Sequence, residues 1–123
     1  MCLHGAAKSV VAAAHFRRLA AARGLRIGAV AAGTEPDAQL APGAVKGLVA
    51  EGLTASPARP RPVTLYDLSS ATRVVSFGCD VALDGGRRAE QWDVPAVGEG
   101  YGAARDQIVA RVERLVGELG GGR

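Results

Sequence analysis

A chain of 123 residues can remove about two thirds of its unfolded-state surface from water, so it sustains one core without disulfide staples. Fifteen Lys and Arg against twelve Asp and Glu leave a net charge of +3, which suits an anionic ligand but is too small and scattered for a nucleic-acid surface. No apolar run approaches a membrane span, and two cysteines without clustered His give neither a disulfide framework nor a zinc site. The expectation is a single domain over residues 1–123 without metal or cofactor, in a reducing cytoplasm, with no nucleic-acid or membrane partner.

Residues 2–9 read Cys-Leu-His-Gly-Ala-Ala-Lys-Ser and run into an Ala-rich helix predicted over residues 9–23. Phe16, Leu19 and Ala20 share one face of that helix, Ser9 is its N-cap, Gly24 its stop, and Arg17, Arg18 and Arg23 its wet side. Residues 25–32 read as a short strand, and residues 33–36, Gly-Thr-Glu-Pro, as a turn. A helix over residues 42–51 has Pro42 in its first turn and Gly52 near its end. Residues 54–62, with three prolines, form an extended connector in which Arg59 and Arg61 are solvated.

A helical turn over residues 65–70 precedes a buried strand over residues 73–77, marked by Val74, Val75 and Phe77 and ending at Gly78-Cys79-Asp80. Past a loop through Asp84-Gly85-Gly86, a brief strand over residues 90–94 leads by Pro95, Gly98 and Gly100 to a final helix from about Gly102. Its stripe is Ile108, Val112, Leu115 and Leu119, and residues 120–122 fray. Strands alternating with helices predict an α/β three-layer sandwich with a small parallel sheet flanked by helices. The loops at Gly33, Gly78 and Trp92 then share the carboxyl edge where ligands collect.

Cys2 carries the chemistry. A thiolate in a short Gly-containing loop ahead of a helix receives backbone N–H groups and the positive helix end, which lower its pKa and bind a tetrahedral anion. Trp92 and Tyr101 are candidates for the pocket wall, with core or rim packing the plainer role.

These motifs resemble the low-molecular-weight protein tyrosine phosphatase family, which includes thioredoxin-coupled arsenate reductases. The likeness spans nearly the whole chain. Cys2, five residues and Lys8-Ser9 resemble the family's loop of a Cys, five residues, and Arg-Ser or Arg-Thr. Residues 32–36, Ala-Gly-Thr-Glu-Pro, are similar to the arsenate reductase branch. Residues 74–80 resemble the third strand and its exit, and residues 91–96 with 104–108 the acid loop and last helix.

The resemblance implies a phosphotyrosine protein phosphatase I-like fold and a phosphocysteine intermediate. Cys2 is the nucleophile, Leu3, His4, Gly5, Ala6 and Ala7 line the anion cradle, Lys8 supplies the cation, Ser9 a hydroxyl for the thiolate, and Asp93 the general acid. The implied substrate is a phosphomonoester such as phosphotyrosine. The alternatives are a non-catalytic oxyanion-binding module, or arsenate reduction in the same loop with a thiol reductant as partner.

Four departures stand out. Lys8 replaces an Arg, so a point charge stands where a planar guanidinium would clamp two oxygens. Asp93 precedes Pro95 by two residues where the family's acid directly precedes its Pro. Cys79 falls one residue past the redox position and reads better as a structural thiol. The family's first strand, which feeds the Cys loop, is missing, and an upstream translation start is the expected reason.

Overall fold

The computed structural model describes residues 7–33, 35, 37–55, 59–78 and 89–121. The expected Cys2–Ala6 cradle, Cys79, two of the four residues of the turn at 33–36 and the loop at 84–86 therefore lie outside the described residues.

Helix α1 spans Lys8–Ala22. It begins one residue before the expected Ser9 cap. Ala7 is the N-cap and makes no side-chain capping bond, while Ser9 enters the first turn and is buried. The C-terminus follows the sequence. Gly24 takes φ +70°, its N–H donates to Ala21 O, and Leu25 N–H donates to Ala20 O, a Schellman closure that needs a residue without a Cβ clash.

Helix α2, Pro42–Ala50, repeats the device. Pro42 opens it, Gly52 at φ +74° closes it, and Leu53 N–H donates to Leu48 O. Helix α3, Leu65–Ser70, matches the expected turn and carries a capping box. Asp67 N–H donates to Thr64 Oγ1, and Thr64 N–H donates to the Asp67 carboxylate.

Strands β1 (Val75–Ser76) and β2 (Glu90–Gln91) form a two-stranded parallel sheet with Val75 opposite Glu90 and Ser76 opposite Gln91. Both are shorter than expected. Trp92 N–H still donates to Ser76 O at 2.9 Å, after which the chain leaves the ladder. A 3-10 turn, Val97–Glu99, then precedes helix α4, Tyr101–Gly121. Gly120, expected to fray, is buried in that helix, and a Cβ there would lie 3.0 Å from the Leu25 side chain.

The predicted strand over residues 25–32 is not one. Its only ladder contact is a parallel bridge from adjoining Gly33 to Pro62, and among the described residues no backbone group pairs with residues 26–32. A β-prone run becomes a strand only when a neighbour accepts its hydrogen bonds.

The helices and the small sheet make an α/β sandwich. Its core is mostly helical: Val10, Val11 and Phe16 of α1, Leu48 of α2, and Ile108, Val112 and Val116 of α4 interlock, with Phe77, Trp92 and Val94 from the sheet side. Small residues let the helices approach closely. A Cβ on Gly47 of α2 would run into the ring of Tyr101, the first residue of α4. Gly47→Ala is expected to lower stability by about 2 kcal/mol, because overpacking against a ring outweighs the helix propensity gained. Urea denaturation checks it, and Tyr101→Ala in the same chain should relieve the penalty.

Candidate functional site

The start of α1 and the turn after β2 meet. Lys8, half-buried, donates from Nζ to the Val94 carbonyl at 2.9 Å across 86 residues of sequence. Arg111 of α4 donates from Nη2 to the adjacent Asp93 carbonyl at 3.3 Å. Inward-facing Trp92, Val94 and Val97 are buried, and Asp93 between them is exposed. Among the described residues its carboxylate has no hydrogen-bond or ion-pair partner. The structure thus brings Lys8, beside Ser9 in the first turn of α1, to the turn that carries Asp93. The nucleophile expected beside them, Cys2, lies outside the described residues.

Beside this junction is a cavity of about 520 Å³, lined on one side by residues 26–30 and Ala32 and on another by residues 73–75 and Phe77. Ser9, Ala12, Ala13 and Phe16 of α1 line it too, with Trp92. Trp92 stands edge-on to Phe77, ring centroids 5.8 Å apart. Ser9, Ala32, Phe77 and Trp92, which the sequence assigned to the anion loop or the ends of strands, therefore face one space. Ile27, Val30 and Tyr66 on its walls are exposed large apolar residues.

Two side chains differ from their expected roles, and a third takes the plainer of its two. Arg17 is not solvated: its Nε and Nη2 donate to Ala29 O at 3.2 and 2.8 Å, and burial lowers its pKa. Arg61 is not free in a connector but pairs with Asp67, its Nη2 3.0 Å from Oδ2. Tyr101 packs on Gly47 away from the cavity and donates its hydroxyl to Glu51 Oε2 at 2.5 Å.

Glu51, at the C-cap of α2, is a hub the sequence did not reveal. Arg105 Nε donates to its Oε1 at 2.8 Å, and His15 Nε2 lies 3.4 Å from Oε2 without making a hydrogen bond. Burial pushes the Glu51 carboxyl up, but the Tyr101 and Arg105 hydrogen bonds hold it below its ordinary value. Burial also dominates His15, lowering its pKa below 6.5 against the pull of Glu51.

The linkage has a definite sign. Above the unfolded value of 6.5, both states carry a neutral His15. As pH falls below that, the unfolded chain takes the proton first and stability is lost until the lower folded value is reached. Denaturation midpoints are expected to fall between pH 7.5 and 5.5 in the wild type and to fall less in His15→Gln. Equal slopes would show that His15 does not carry the dependence.

Among the described residues no group of His, Cys, Asp and Glu could hold a metal ion, and no helix is long and apolar enough to cross a membrane.

No protein-family model matches the chain, and no curated protein matches it by sequence. Solved structures do. A thioredoxin-dependent arsenate reductase of Corynebacterium glutamicum superposes with a TM-score of 0.79 at 21% identity, covering 99% of this chain and 60% of that one. The chain thus spans about three fifths of that protein's length. An arsenate reductase of Archaeoglobus fulgidus gives 0.75 at 28% identity over 94% of this chain and 95% of that one. A low-molecular-weight protein tyrosine phosphatase from T. tengcongensis gives 0.74 at 19% identity over 95% of each. The fold is that of the low-molecular-weight tyrosine phosphatases and arsenate reductases, the family the motifs resemble.

Proposed function

We propose that the chain is a phosphatase-like hydrolase that cleaves phosphomonoesters through a phosphocysteine on Cys2. The observation that carries this reading is the Lys8 Nζ to Val94 O hydrogen bond, which joins the end of the Cys-x5-Lys-Ser motif to the Asp93 turn. Chemistry of this kind needs both at one place: a nucleophile in an anion cradle and a proton donor for the leaving oxygen.

Cys2 as thiolate attacks phosphorus, and the ester oxygen departs with a proton from Asp93. Backbone N–H groups of residues 3–9 hold the equatorial oxygens, with the start of α1 contributing positive potential. Ser9 donates its hydroxyl to the sulfur as it leaves. Water, deprotonated by Asp93, then attacks phosphorus, releases phosphate and restores the thiolate. Phosphate release from an aryl phosphate by wild type and Cys2→Ser tests the reading. Phosphate binding without hydrolysis would select a non-catalytic oxyanion-binding module instead.

A second reading has support of its own in the 28% identity with the Archaeoglobus fulgidus arsenate reductase over 94% of this chain. Arsenate would enter the same cradle. Two thiols would give up two electrons as they join in a disulfide, taking As(V) to As(III), with Cys2 as one and Cys79 or a small thiol reductant as the other. Arsenate-dependent consumption of a thiol reductant separates it from hydrolysis. Either reading places the protein among water-exposed compartments where phosphate and thiols are plentiful, with the cytoplasm the natural one.

A further inference from the structure

We infer that Lys8 is a positioning residue, whose ammonium sets the place of the Asp93 carboxylate through the Val94 carbonyl instead of clamping the oxyanion. The inference rests on the phosphatase reading and deepens it.

Past Trp92, whose N–H is the last to reach β1, the chain leaves the sheet. Among the described residues no backbone N–H reaches the carbonyls of Asp93 or Val94. Carbonyls in a packed turn need donors. Two cations supply them, Lys8 from α1 at 2.9 Å and Arg111 from α4 at 3.3 Å. Val94 is 5% exposed, so the turn is seated on the core by its side chain and tied from both flanks by its backbone.

Asp93 is exposed, and among the described residues its carboxylate has no partner, so within that set the backbone alone fixes where the carboxylate stands. Releasing Val94 O would remove one of the two ties on the segment that carries the acid and loosen it. A guanidinium can make the same bond, and a Met of similar length cannot.

The test uses the full chain as wild type, Lys8→Met and Lys8→Arg. Two substrates are compared: dinitrophenyl phosphate, whose leaving group needs little protonation, and phenyl phosphate, whose leaving group needs an acid. Lys8→Met should lower kcat on phenyl phosphate by about a hundredfold and on dinitrophenyl phosphate by less than about threefold, with inhibition by inorganic phosphate shifted less than about threefold. Acrylamide quenching of Trp92, the one tryptophan, should rise in Lys8→Met and return in Lys8→Arg.

Equal losses on both substrates, with phosphate inhibition weakened about tenfold or more and Trp92 quenching unchanged, would make Lys8 an oxyanion ligand and overturn the inference. If the wild type hydrolyses neither substrate, the phosphatase reading fails by itself. The Trp92 arm then still decides, because unchanged quenching in Lys8→Met would show that the ammonium does not hold the turn.

Discussion

Cys2→Ser should reduce phosphate release from an aryl phosphate by about 10³-fold or more, the scale on which removal of an enzyme's nucleophile acts. A hydroxyl is far less acidic than a thiol, so a serine supplies almost no alkoxide at neutral pH. The substitution is nearly isosteric, so the circular dichroism spectrum and thermal midpoint should hold while turnover vanishes. Phosphate release at the wild-type rate from Cys2→Ser would remove Cys2 from the mechanism. Because Lys8 and Asp93 meet through the Val94 carbonyl whatever atom attacks, that result would leave the geometry intact and move the search to another nucleophile.

Ile108→Ala should cost about 3 kcal/mol of folding free energy, the largest stability effect expected of a single substitution here. Ile108 is fully buried on α4, in the cluster with Val10 and Val11 of α1, Leu48 of α2, and Val112. A helix bundle wrapped on so short a sheet has little freedom to collapse into the space left. Domains of this size are stable by only about 5–15 kcal/mol, so the loss is a large share of the total. Urea titration checks it, with Arg114→Ala as the control. Arg114 is exposed on the same helix and should change stability by less than about 0.5 kcal/mol. Comparable losses from both would mean that α4 is not the keel of the core.

The two effects separate the chain into a part that holds shape and a part that acts. Substitutions at Gly47 or Ile108 should reach activity only through loss of folded protein. Lys8 stands between the parts: rooted in the first turn of α1, it reaches a loop that the core holds in place.

Local chemistry was legible from residues alone. Gly24 and Gly52 stop helices because a left-handed residue is needed there, Pro42 starts one because it lacks an N–H that the first turn leaves unused, and the stripe of α4 follows a 3.6-residue period. Each is decided within a turn or two of chain. The motif of Cys2, Lys8 and Ser9 was equally visible, together with the fold it implied.

What distant parts of the chain do to one another was not. Residues 25–32 have the composition of a strand, but a ladder also needs a partner, which composition does not disclose. Arg17 looked like a solvated helix residue until Ala29 came within reach, and the Glu51 partner of the Tyr101 hydroxyl, 50 positions away, had no mark in the sequence. The bond from Lys8 to Val94 spans 86 positions. No spacing rule encodes it, because only the packing of α1 against the rest of the core brings those two atoms together.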